Sequence, residues 1–170
     1  MPKIIIDHHG KSPQIKESNF IAPNATIIGE VEIGENTNIW FNTVIRGDVH
    51  WIKIGENSNV QDLSMLHVSN GKAPLSIGNE VTVGHRCTLH GCTIKDRVLV
   101  GMDSTIMDLA VIGEDVIIGA GSLVTEKTNI PSGSLALGRP AKVVRPLSKE
   151  EIAYIKKSAK HYVRLAESYG

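Results

Sequence analysis

Large aliphatic residues recur along this chain at a fixed interval of six. Ile21, Ile27, Ile33, Ile39 and Ile45 open the series, Ile54, Val60 and Leu66 continue it, and Ile77, Val83 and Leu89 take it up again. After one five-residue step it runs through Ile94, Val100, Ile106, Ile112, Ile118, Val124 and Ile130. Two positions earlier stand small or compact residues such as Ala25, Thr37, Cys87, Cys92, Ser104, Ala110 and Ser122, and glycine often follows the large one, as at Gly34, Gly55, Gly78 and Gly101. A period of six is neither the 3.6 of a helix nor the 2.0 of a strand. One large residue and one turn per unit suits short strands joined at corners, three units to a coil. A sandwich of short alternating strands would not hold a six-residue phase for so long.

The pattern resembles the left-handed parallel β-helix of hexapeptide repeats, a triangular prism with aliphatic side chains stacked inside. The resemblance covers about residues 21–140 and predicts an all-β fold with one appended helix. The rhythm stops near Gly138-Arg139-Pro140; Ser148-Lys149-Glu150-Glu151 then reads as a capping box. Ile152, Ile155, Ala159, Tyr162, Ala166 and Tyr169 form one apolar stripe at spacings of three and four. The expectation is a single domain over residues 1–170, with the β-helix over about 12–146 and an α-helix over about 148–168 packed along one face.

Composition narrows the function classes. Lys+Arg and Asp+Glu are both 18, so the zero net charge gives no electrostatic reason to expect nucleic acid or an anionic membrane as partner. No apolar run approaches the roughly 20 residues that span a bilayer, and the N-terminal residues lack a secretory pattern. Cys87 and Cys92 lie too close in sequence to staple distant segments. The reading is a cytoplasmic protein with free thiols, whose cysteines fill small interior positions.

The histidines carry the candidate chemistry. Equivalent positions in a regular coil recur every eighteen residues, and Leu66 and Leu89 are 23 apart. An outward loop within residues 69–76, which carries Gly and Pro, absorbs the surplus of five. His67 and His90 each follow the stacked leucine by one residue, so they should sit one above the other. Ile45 and Leu66 are 21 apart, with the extra residues around Val49-His50-Trp51, which brings Arg46 into the same column. Val60 and Val83 likewise place Asp62 with His85, and Gln61 beside them. That second column belongs to the preceding edge of the triangle, so His85 and His90 straddle a corner. If three chains stand parallel about a threefold axis, His67 and His90 of one chain would meet His85 of the next. Three neutral imidazoles with an open fourth position describe a catalytic zinc site. His8, His9, His50 and His161 have no such placement and read as surface residues.

Arg46-Gly47-Asp48, Asn59-Val60-Gln61-Asp62, His67, His85 and His90 together resemble the gamma-class carbonic anhydrase family, over nearly the whole chain including Gly138-Arg139-Pro140-Ala141 and the terminal helix. The resemblance implies a homotrimer with a divalent metal between subunits, Zn2+ or alternatively Fe2+ or Co2+, and a lyase that reversibly hydrates CO2 to bicarbonate. It implies His67, His85 and His90 as ligands, Arg46 and Asp48 as an intersubunit ion pair, and Gln61 and Asp62 as residues that orient the metal-bound water. Asn59 and Tyr162 would line the site. Three neutral ligands leave the metal's charge uncompensated, which helps bring bound water towards a pKa of about 7.

The chain departs from the most active members of that family in one respect. Val49 follows Asp48 where they carry an acidic residue, and residues 69–76 contain no Asp or Glu to shuttle protons. Slow proton export, and so low activity, is the expectation. A hexapeptide-repeat acyltransferase or acyl-CoA thioesterase is the alternative function, and a non-catalytic trimeric metal-binding scaffold the third.

Overall fold

The computed structural model describes residues 4–169. Short strands wind into a parallel β-solenoid of about seven turns, followed by one helix. The strand Val44–Ile54 is long enough to turn a corner. Its start pairs with Met65–His67, and its end pairs with Leu75–Ile77. From there two faces diverge. The first continues through Thr88–His90, Thr105–Ile106 and Leu123–Val124; the second through Thr93–Ile94, Val111–Ile112 and Asn129–Ile130. The third face is an eight-stranded sheet that begins with Phe20–Ile21, Asn38–Ile39, Asn59–Val60 and Thr82–Val83. It ends in an antiparallel pair, Ser134–Gly138 with Ala141–Pro146.

The six-residue series is the core. All its members from Ile21 to Ile130 are buried, and Ile27, Ile33, Ile39, Ile45, Leu66, Leu89 and Ile106 have no exposed surface. Each such side chain withdrawn from water stabilises the fold by about 1.5–3 kcal/mol. The small positions between them are buried too, and their hydroxyls bond the next coil: Thr37 Oγ1 donates to the Gly55 carbonyl at 2.7 Å and Ser58 Oγ to that of Gly78 at 2.9 Å. Among the described residues no buried side-chain nitrogen or oxygen lacks a partner. The glycines that follow the large residues let successive corners stack closely. A Cβ on Gly34 would lie 2.6 Å from the backbone carbon of Gly55.

The helix Lys149–Glu167 starts where the sequence signals it. Ser148 Oγ accepts from the Glu151 amide at 3.2 Å, while the Ser148 amide donates to Glu151 Oε2 at 2.8 Å. Ile155, Ala159 and Ala166 are buried, and the helix lies along the third face against Asn38–Ile39, Asn59–Val60 and Thr82–Val83. The apolar stripe weakens at its ends, with Ile152 half-buried and Tyr169 mostly exposed. No helix among the described residues is long and apolar enough to cross a membrane.

Candidate functional site

The stacking arithmetic holds residue by residue. Leu89 pairs with Leu66 and His90 with His67, because the surplus residues close into a small loop bridged between Ser69 and Ala73. Ile45 pairs with Leu66, which sets Arg46 at the foot of the same column.

The two imidazoles meet edge on, His67 Nδ1 lying 3.0 Å from His90 Nε2. Each ring's other nitrogen faces a carboxylate. His90 Nδ1 lies 2.5 Å from Asp108 Oδ1, and His67 Nε2 lies 3.1 Å from Asp48 Oδ1. Both carboxylates are held below the usual aspartate range. Burial works against this at each, but hydrogen bonds from Arg46 and His67 outweigh it at Asp48, and those from Ser69 and His90 outweigh it at Asp108. An ionised carboxylate only accepts, so each takes the N–H of the nitrogen it faces. The two inner nitrogens are then left with lone pairs aimed at one another.

Facing lone pairs at that separation call for a positive charge. A proton on His67 is disfavoured, since burial lowers that imidazole's pKa, with Arg46 adding to the effect and Asp48 opposing it. A metal ion suits the donor set better. Two nitrogens bound at about 2.0–2.1 Å to a tetrahedral ion stand about 3.3 Å apart, close to the spacing already present.

His85 sits round the corner, just beyond the third-face strand Thr82–Val83. Its Nδ1 lies 2.9 Å from Asp62 Oδ2 and its side chain is 44% exposed. With Nδ1 beside that carboxylate, Nε2 is the nitrogen left for a metal. One chain therefore joins two of the three predicted ligands: among the described residues no group of three or more His, Cys, Asp or Glu is arranged to hold a metal.

Gln61 is buried and donates through Nε2 to Asn59 Oδ1 at 3.1 Å, and Asn59 donates to Thr82 Oγ1 at 3.0 Å. That hydroxyl meets Ser158 Oγ of the helix at 3.2 Å. Gln61, His85 and Tyr162 line an open groove of about 440 Å³ between the helix and the third face, which continues past Leu99, Met102, Ile117 and Tyr154. Burial and the nearby Asp62 raise the pKa of the Tyr162 hydroxyl. His50 stays outside this constellation; its Nδ1 accepts from the Trp51 amide at 2.9 Å.

Two features add to the sequence reading. Arg46 pairs with Asp48 of its own chain, because the two residues lie on one face of the same strand, two positions apart. Asp108 and Ser69 were not foreseen. Leu89 pairs with Ile106, so counting along the column leads from His90 to Met107 and not to Asp108.

Comparison with known proteins agrees with this picture. The bacterial transferase hexapeptide family (six repeats) matches residues 12–47 and 91–126. The chain is 50% identical to a carbonic anhydrase of Geobacillus kaustophilus over 98% of its own length and 91% of that protein. It is 46% identical to gamma carbonic anhydrase 2, mitochondrial, of Arabidopsis thaliana over 92% of this chain, which spans 58% of that plant relative. Among solved structures, a hexapeptide transferase family protein from Anaplasma phagocytophilum superposes with a TM-score of 0.94 at 44% identity, each chain covered in full.

Proposed function

The chain belongs to the gamma carbonic anhydrase family, and from that membership we propose that it is a metal-dependent lyase that reversibly hydrates CO2 to bicarbonate, working as a homotrimer with its sites between subunits. The observation that carries the reading is the pair of imidazole nitrogens, His67 Nδ1 and His90 Nε2, 3.0 Å apart and each backed by an aspartate. His85 of a neighbouring subunit would complete three neutral donors, which suits Zn2+ and also Fe2+ or Co2+. Bound there, the ion supplies Lewis acidity that makes water reactive near neutral pH.

The chain's own residues do the rest. Asp48 and Asp108 hold the outer N–H of His67 and His90 and so keep the other nitrogens free to bind, and Asp62 stands beside Nδ1 of His85. Arg46 anchors Asp48. Asn59 fixes the amide of Gln61, leaving Gln61 Oε1 to accept a hydrogen bond and so orient a hydroxyl in the site. The Tyr162 hydroxyl stays protonated and can donate to a bicarbonate oxygen.

Metal analysis of freshly purified protein, paired with CO2 hydration assays under anaerobic and aerobic conditions, tests this. We expect stoichiometric metal, lost together with hydration in His67→Ala, His85→Ala and His90→Ala while assembly survives. A fully loaded protein without hydration overturns it. The groove beside His85, apolar at Leu99, Met102 and Ile117, then favours the second reading, acyl transfer or acyl-CoA hydrolysis, to be assayed with acyl-coenzyme A compounds.

A further inference from the structure

We propose that Asp108 is the positioning residue that sets the tautomer of His90, and that Ser69 on the loop of residues 69–73 holds Asp108 in that role. The proposal rests on the metal-site reading above, in that His90 is taken as a ligand.

Three observations converge on Asp108. Its Oδ1 lies 2.5 Å from His90 Nδ1, while its Oδ2 accepts from Ser69 Oγ at 2.6 Å, so both oxygens are engaged. The side chain is only 10% exposed, against 36% for the imidazole it holds. Gly91 makes room for it: a Cβ there would lie 2.6 Å from Asp108 Oδ1 and 2.6 Å from Ala73 Cβ. Glycine at 91 thus admits the carboxylate to the ring and the loop to the coil at one point.

The chemistry follows from donor and acceptor counts. His90 can offer Nε2 to a cation only if its proton is on Nδ1, and Nδ1 keeps that proton because a carboxylate oxygen faces it. Ser69 then decides what happens when the carboxylate becomes an amide. With Asp108→Asn, the Ser69 hydroxyl still needs an acceptor and takes the amide oxygen. The amide NH2 is left towards His90 Nδ1, which must now accept. The proton moves to Nε2, and the lone pair that faced His67 is gone.

A structural ion pair without this role would change stability alone, so the test reads the tautomer directly. Histidine nitrogen chemical shifts of the metal-free protein, recorded near pH 8, should show His90 in the Nδ1–H form in the parent and predominantly Nε2–H in Asp108→Asn. Competition with a chelator should then show Zn2+ affinity about 10- to 100-fold weaker in that variant, and a smaller loss in Ser69→Ala. Circular dichroism checks that each variant is folded; Asp108→Asn is close to isosteric, and Ser69→Ala provides a second, milder perturbation. An unchanged His90 tautomer in Asp108→Asn overturns the proposal, as does a switched tautomer with unchanged Zn2+ affinity. If the parent itself binds no Zn2+, the metal-site reading falls and with it the metal role of Asp108. The nitrogen shifts still show whether Asp108 orients the ring.

Discussion

Cys87 and Cys92 show how little a cysteine's chemistry owes to its own side chain. Burial pushes the Cys87 thiol up to about 11 and the Cys92 thiol up to about 12, so neither offers a thiolate to a metal or an oxidant at neutral pH. The linkage has a definite sign. A thiol that ionises near 9.0 when unfolded and higher when folded leaves stability unaffected below pH 9. Above pH 9 the unfolded state loses the proton first, and stability falls by up to about 1.4 kcal/mol per pH unit for each thiol. Denaturant unfolding at pH 8 and pH 10 should show that loss, and Cys87→Ala should reduce it. Iodoacetamide should leave the native thiols unmodified at pH 8; rapid labelling of folded protein would refute the buried placement. Both cysteines could be read as filler because they occupy the small position of the six-residue unit. Asp108 was harder to read, because the five-residue step between Leu89 and Ile94 breaks the count just where His90 meets its partner.

Among the elements, the terminal helix links the fold to the site. It starts at a complete capping box, reinforced by Arg145, whose Nη1 and Nη2 each lie 2.8 Å from a Glu151 oxygen. Its buried face rests Ser158 on Thr82 and sets Tyr162 beside Gln61 and His85. Ser148→Ala removes the oxygen that satisfies the Glu151 amide and should cost about 1 kcal/mol, measured as a lower denaturant midpoint. Weaker CO2 hydration with unchanged metal content should accompany it if the helix wall serves the substrate. Loss of metal instead would mean that the helix supports the ligands. The cap and the stripe from Ile155 to Ala166 were legible because helical spacing is local. Which face of the prism the stripe covers was not, since all three faces bury aliphatics of the same kind.

For the whole molecule, the decisive quantity is the number of chains. One chain brings His67 and His90 together and leaves His85 round the corner, partly exposed beside Asp62. Native mass spectrometry should find three chains, and chelation should make the assembly more sensitive to dilution. A stable monomer that keeps one metal per chain would refute the shared site. The six-residue period was enough to specify the coil, its core and the stacking of His67 under His90, because each coil repeats its predecessor and register follows from counting. The same counting set Asp62 beside His85. What counting could not supply was the direction of each side chain once stacked. That Asp48 takes His67 as well as its neighbour Arg46, and that Asp108 and Ser69 close around the far side of His90, depends on contacts between residues 18 to 39 positions apart. Those contacts are set by where a loop bulges and how a ring rotates. A repeat fixes positions along the backbone; hydrogen-bond partners are chosen only when the coils are in place.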